Sequence, residues 1–112
     1  MEAMIVEKDQ PEGSRAVKFA YFILGSSFDP KRDHATIGNG KATIVGVPSI
    51  DAACAVAREL ADEGIVAIDV CGGFREEGAR RLIEATDGRV CVCPAHYLPE
   101  QEELNKSLFA KK

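Results

Sequence analysis

Residues 42–64 and 67–88 repeat one local pattern, and this repeat constrains the fold more than any other feature of the chain. In each repeat an apolar strand passes through a short turn into a helical segment that closes on a glycine. The two strands read ATIVGV and IVAIDV, the second starting two residues before residue 67, and the closing glycines are Gly64 and Gly88. Consecutive strand–helix units of this length predict right-handed crossovers and a parallel sheet.

Two further apolar segments flank the repeat. Residues 16–24, AVKFAYFIL, are rich in aromatic and β-branched residues, and the segment RVCVC follows Gly88. Nearly continuous apolar strands suit a sheet that is covered on both faces. An eight-fold barrel needs about 250 residues, more than this chain has. We therefore expect an α/β fold, a small open sandwich with four to five mostly parallel strands built from consecutive strand–helix units.

The chain of 112 residues has the length of a single domain. Its polar start predicts a mobile N-terminal arm over residues 1–15, followed by the α/β domain over residues 16–97. Residues 28–42, between the first two predicted strands, are expected to form a long loop. In the C-terminal tail, residues 98–112, we expect a short helix with Leu104 and Leu108 on its inner side.

Composition and charge exclude several classes of partner. The formal net charge is −4 and the basic residues are spread along the chain, whereas a nucleic-acid-binding protein needs a clustered basic face. Apolar runs fall short of the ~20 residues that span a bilayer, and the N-terminus lacks the features of a signal peptide. We therefore expect no nucleic acid, no membrane, a cytoplasmic location, and four cysteines that are thiols rather than disulfides.

The segments KFAYFILGSSFDPKRD, GVPSIDAACAVARELADEGI and CGGF resemble a family of small prokaryotic proteins of unknown function. The resemblance covers residues 18–92 and leaves both ends of the chain outside. It implies a stand-alone α/β domain with no established activity, so it carries over no catalytic residues and no cofactor.

A binding site is expected beyond the carboxyl ends of the strands, because open parallel α/β sheets bind ligands there. The turn "CGGF" leads from a strand into a helix, where glycines and free backbone N–H groups would suit an anion. The same turn is also explained as a tight corner that binds nothing. The residues that we expect to bind a small, anionic metabolite at this edge are Ser26, Asp29, Ser49, Gly72, Gly73 and Arg75.

Three residues are candidates for catalysis at the same edge. Asp69 interrupts an apolar strand, where a carboxylate needs a partner, and a raised pKa there would suit a general base. Cys71 precedes a helix N-terminus that would favour a thiolate, and His96 follows the last strand and could pair with it. The alternative is that Asp69 accepts structural hydrogen bonds and Cys71 packs as an apolar residue. We assign no metal ligands, because Cys91 and Cys93 are spaced too closely for the usual zinc pattern.

Three functions remain open from the sequence. The first is a domain that binds a small molecule at the carboxyl edge of the sheet, with no cofactor that the residues identify. The second is a small enzyme that uses Asp69 or Cys71 with His96. The third is a non-catalytic interaction module in which the first strand and the tail helix pack against another copy. A homo-oligomer is expected under all three, because small sheets with exposed edges associate.

Overall fold

The structure is a computed structural model that describes residues 17–109, so the expected N-terminal arm lies outside the described residues. Five strands form one sheet: β1 (Phe19–Leu24), β2 (His34–Ile37), β3 (Ala42–Val47), β4 (Ala67–Val70) and β5 (Cys91–Pro94). The described chain also forms three α-helices: α1 (Ile50–Asp62), α2 (Arg75–Ala85) and α3 (Glu102–Phe109). Short 3₁₀ turns cover Gly72–Phe74 and Pro99–Gln101.

The strand order is β2-β3-β1-β4-β5, with β1 at the centre. β1 runs parallel to both β3 and β4, and β4 runs parallel to β5. Only the edge strand β2 is antiparallel to its neighbour among these five strands. The predicted α/β fold, with four to five mostly parallel strands, is confirmed, and the sheet has five.

The strand β2 lies within the segment that the sequence predicts to be a loop. Its four residues are all exposed, so they lack the alternation of buried and exposed positions that marks a strand in sequence. A tight turn joins β2 to β3, and Gly38, Asn39 and Gly40 all have positive φ, of 64°, 60° and 86°. Such turns favour glycine and asparagine, and these three residues close a hairpin between β2 and β3.

Helices α1 and α2 cover only one face of the sheet, which differs from the expected cover on both faces. The crossovers from β3 to β4 and from β4 to β5 move in the same direction across the sheet. Right-handed crossovers in one direction place both helices on the same side. The core therefore forms on that side, where the largest fully buried apolar side chains are Phe22, Ile68, Leu82, Val47 and Val70.

The helix boundaries follow local signals in the sequence. Ser49 caps α1, because its Oγ accepts a hydrogen bond of 3.1 Å from the Ala52 backbone N–H. Gly64 follows the helix with φ of 104°, and the Ile65 N–H returns to the Leu60 carbonyl at 3.0 Å. In α2 the Leu82 side chain is fully buried, whereas the neighbouring Ile83 is 40% exposed.

The C-terminal helix α3 stands apart from the core. No residue of this helix is buried, and Leu104 and Leu108, which were expected on its inner side, are 53% and 65% exposed. Within residues 17–109, no helix combines the length and the apolar character that crossing a bilayer requires.

Candidate functional site

The side of the sheet away from α1 and α2 is called the open face here. Strand register and the alternation of side chains place twelve strand residues on it. Of these twelve residues only Asp69 is charged. The twelve are Phe19, Tyr21, Ile23, Ala35, Ile37, Ala42, Ile44, Gly46, Ala67, Asp69, Cys91 and Cys93.

One row of neighbouring side chains crosses the open face through Asp69. Tyr21 pairs with Ile44 on one side and with Asp69 on the other, and Asp69 pairs with Cys93. Neighbouring strands lie about 4.8 Å apart, so side chains in one row can touch. The carboxylate therefore lies between a phenol and a thiol, on a surface that is otherwise apolar.

Tyr21 lies beside the Asp69 carboxylate on the neighbouring strand. Its pKa is raised above the usual value, first by burial and then by Coulomb interactions with Cys71, Asp69 and Tyr97. Asp69 is the direct neighbour of Tyr21 on the adjacent strand, and Cys71, after the carboxyl end of β4, packs against the core. At neutral pH this phenol keeps its proton and can donate a hydrogen bond. Tyr21, Asp69, Cys71 and Tyr97 are called the Tyr21 cluster below.

The backbone at the carboxyl edge holds two members of this cluster in place. The Leu24 backbone N–H donates a hydrogen bond to Cys71 Sγ at 3.3 Å, and Cys71 is partly buried. A Cβ added to Gly72 would lie 3.8 Å from Tyr97 Cε2, so the Tyr97 ring lies against the Gly72 backbone. The segment that follows β5 therefore passes beside the turn that follows β4.

The turn at Gly72 and Gly73 has the geometry of a tight corner. Neither of these glycines has positive φ, and an added Cβ would make only ordinary contacts at both. The unusual backbone belongs to Arg75, whose φ of 58° and ψ of 179° form a conformation that costs a non-glycine residue about 1–3 kcal/mol. Next to it, Phe74 is buried and packs against Phe22, with ring centroids 6.4 Å apart. The packing of Phe74 into the core thus holds the backbone of this turn in place, including the unusual conformation of Arg75.

Other residues predicted for the site make local contacts. The Ser49 hydroxyl caps α1, and Asp29 Oδ1 accepts a hydrogen bond of 3.0 Å from the Lys31 N–H. Ser26, Arg75 and His96 are exposed. Within the described residues no hydrogen bond joins His96 to Asp69 or Cys71. The structure therefore places the exposed Asp69 beside Tyr21, a residue that was not singled out in the sequence, while Cys71 packs against the core.

The four cysteines are free thiols, and they differ in exposure. Cys54 is buried in the core on α1, Cys71 is partly buried, and Cys91 and Cys93 are exposed on the open face. Across residues 17–109, no three histidine, cysteine or acidic side chains are grouped so that they could hold a metal ion.

A groove of about 560 Å³ lies on the other side of the sheet, between α1 and the β2–β3 edge. His34 is part of its wall, and its Nδ1 lies 2.8 Å from the Pro30 carbonyl oxygen. Since a carbonyl only accepts, Nδ1 is the donor of this hydrogen bond, which leaves Nε2 for other contacts. Sequence reasoning missed this groove because it missed β2. Its other polar lining residues are Asp29, Lys31, Thr36, Thr43, Glu59 and Glu63.

Comparison with known proteins gives one match. Residues 17–110 match the model of a family described as a family of unknown function, DUF6506. No curated protein and no solved structure shows significant similarity to the chain.

Proposed function

Since the chain belongs to the DUF6506 family, whose function is not known, we propose its function from the geometry of the site. The domain binds a small organic molecule at the Tyr21 cluster, at the carboxyl end of the open face. The ligand carries a cationic or hydrogen-bond-donating group on a flat apolar body.

The observation that carries this proposal is the isolation of Asp69. It is the only charged residue among the twelve strand residues of the open face, and its neighbours in the row are Tyr21 and Cys93. The Asp69 side chain is exposed, so an amine or amidine can reach its carboxylate and form a charge-assisted hydrogen bond. Asp69 would therefore orient the polar end of a ligand, while the apolar face receives its body.

The two tyrosines favour the same ligand class. The faces of aromatic rings attract cations, and each such contact contributes about 0.5–2 kcal/mol. The Asp69 carboxylate beside Tyr21 would repel an anion at the same place. Arg75 could attract an anion to the N-terminus of α2. Glu76 and Glu77 lie in the first turn of the same helix, however, and their charges would repel it. A cationic ligand therefore suits the cluster better than the anionic one that the glycine turn suggests.

Benzamidine and benzoate test the proposal, because they are matched in shape and opposite in charge. Backbone NMR of the full chain should show benzamidine shifting the signals of Tyr21, Asp69 and Cys71. Asp69→Asn, which keeps the shape and removes the charge, should weaken this binding at least about 10-fold, as expected for a lost charge-assisted contact. Asp87→Asn is the matched control, since Asp87 is exposed at the end of α2.

Two results contradict the proposal. One is benzoate binding at the cluster more tightly than benzamidine. The other is an equal loss of benzamidine binding in Asp69→Asn and in Asp87→Asn. Native mass spectrometry of the protein as isolated would add the mass of any natural ligand that it retains.

The groove beside α1 is a second candidate site for a small molecule. Its volume lies in the range of small-molecule pockets, about 300–1,000 Å³, and it combines apolar walls with a free histidine nitrogen. Ligands that bind there would shift the signals of His34 and Thr36 and leave Tyr21 unchanged. We also propose a reducing compartment such as the cytoplasm, which four free thiols support.

A further inference from the structure

The groove between α1 and the β2–β3 edge has an apolar middle and an acidic end. We propose that it binds a linear aliphatic amine, with the ammonium group beside Glu59 and Glu63 and the carbon chain along α1. This inference rests on the groove being the second candidate site of the proposed function, and it names the class of ligand that binds there.

The groove follows α1 along most of the helix. The positions of the helix that line it have the i, i+3, i+4 and i+7 spacing of a single helix face. They are Ala52, Ala55, Val56, Glu59, Leu60 and Glu63. From the first to the last of them the rise is about 16 Å, at 1.5 Å per residue. The groove is therefore long enough for an extended chain.

The middle of the groove is apolar. Val56 and Leu60 lie one turn apart on α1 and are half-buried, and the buried Val45 of β3 lines the same stretch from the sheet. Ala52 and Ala55 have small side chains, which leave space beside the helix. A methylene chain that lies here leaves water for an apolar surface, and the gain grows with the area that it buries.

The end of the groove beside the C-terminus of α1 is acidic. Glu59 and Glu63 are four residues apart, so they are neighbours on the helix surface, and both are exposed. Within residues 17–109 neither carboxylate has an ion pair, and the last turn of α1 contains no basic residue. The negative end of the helix dipole lies at the same place. An ammonium group bound here would offset the repulsion between the two carboxylates and the unfavourable interaction of both with the dipole.

Two hydroxyl groups lie at the same end of the groove. Thr36 of β2 pairs with Thr43 of β3, and both residues line the groove. Thr43 is near the amino end of β3, and α1 runs back toward the amino ends of the strands because it connects the parallel strands β3 and β4. An ammonium group donates three hydrogen bonds, and the carboxylate and hydroxyl oxygens at this end are acceptors for them.

The opposite end of the groove has no excess of either charge. His34 pairs there with Val45, near the carboxyl end of β3, and Lys31 and Asp29 carry opposite charges beside it. A second ammonium group on the same chain would lie over the apolar middle or at this balanced end, where no net negative charge attracts it. A carboxylate at the acidic end would be repelled. One ammonium group on an uncharged chain therefore suits the groove better than a diamine or a fatty acid.

Backbone NMR titrations of the full chain test charge and chain separately. Hexylamine should shift the signals of Thr36, Val56 and Glu63. Ethylamine keeps the ammonium group and lacks four methylenes, so it should bind at least about 10-fold more weakly. Hexanoate has a matching chain and the opposite charge, and it should leave these signals unchanged. 1,6-Diaminohexane should bind more weakly than hexylamine in spite of its greater charge.

A pair of variants tests the acidic end. Glu59→Gln/Glu63→Gln keeps the shape and removes both charges, so it should weaken hexylamine binding at least about 10-fold. Glu76→Gln/Glu77→Gln is the matched control, because these two glutamates are exposed in the first turn of α2 and do not line the groove. Far-UV circular dichroism checks that both variants are folded. Glutamine is a good helix former, so both helices should remain.

Several results would overturn the inference. Equal binding of hexylamine and ethylamine would show that charge alone acts, and so would tighter binding of the diamine. Binding of hexanoate in the groove would keep the site and refute the amine class, as would an equal loss of hexylamine binding in the two variants. If no probe shifts the signals of Thr36 and Val56, both the inference and the groove as a site fail. The Tyr21 cluster is tested by benzamidine and read from other signals, so its failure leaves these outcomes unchanged.

Discussion

Gly46 lies directly beneath the ring of Phe28, and adding a single methyl group there tests how the carboxyl end of the open face is built. A Cβ on Gly46 would lie 2.6 Å from Phe28 Cγ and 2.7 Å from Cδ1. Ordinary carbon contacts are about 3.5–4.0 Å, so the overlap is about 1 Å. Relief requires that the ring or the strand moves, and such overpacking costs about 1–3 kcal/mol. Gly46→Ala should therefore lower the free energy of unfolding by about 1–3 kcal/mol.

Removing the ring should remove this penalty. In a Phe28→Ala background, Gly46→Ala should be neutral or stabilise the protein by about 0.5–1 kcal/mol, since glycine within a strand is less favourable than alanine. The double-mutant cycle should then give a coupling free energy of about 2 kcal/mol between the two positions. Gly73→Ala is the control, because its added Cβ would meet no heavy atom closer than 3.6 Å.

Urea unfolding followed by far-UV circular dichroism measures these free energies, because the chain contains no tryptophan for fluorescence. All variants are compared at one protein concentration, since association would shift the apparent stability. If Gly46→Ala unfolds like the unmodified chain, or if the cycle shows no coupling, Phe28 does not cover Gly46 as described. The arrangement at this end of the open face would then be wrong.

Three further predictions concern single residues. Cys71 should react with iodoacetamide more slowly than Cys91, because it is partly buried and its sulfur accepts a backbone hydrogen bond. Peptide mass spectrometry measures both rates, and a faster reaction of Cys71 would favour the nucleophile hypothesis. Ser49→Ala should lower the free energy of unfolding by about 1 kcal/mol in urea titrations, because it removes the cap of α1. Hydrogen bonds from Arg32 and from a backbone N–H hold the pKa of Asp33 below its usual value. Its stabilising effect is therefore present above the unfolded-state pKa and is lost as the pH falls through the folded-state pKa, so Asp33→Asn should flatten the acid side of the stability profile.

The fold was largely predictable from the sequence because its signals are local. The repeated strand–helix units, the Ser49 cap and the Gly64 end each involve residues within a few positions of one another, and all three are present in the structure. The strand β2 was missed because it has no local signal of this kind. Its residues face solvent, so their pattern does not differ from that of a loop, and only pairing with β3 makes them a strand.

The candidate site was predictable only in part. Asp69 was recognised because a carboxylate stands out in an apolar strand, and Cys71 because it precedes a helix. Tyr21 was not recognised, since a tyrosine in an aromatic strand reads as a core residue. Tyr21 lies beside Asp69 only because β1 and β4 are neighbouring strands and these two residues are paired in the register. His96 was placed near Cys71 on topology alone, and no hydrogen bond joins them within the described part of the chain.

The sequence by itself determined the elements and the handedness of their connections, because hydrophobic period, caps and turn residues act over short distances. Only the tertiary structure decided which face of the sheet stays open. That outcome depends on strand order, and strand order is set by pairing between segments far apart in the chain. Both crossovers move in one direction, so both helices lie on one side. The opposite side is left with Tyr21, Asp69 and a surface of apolar residues.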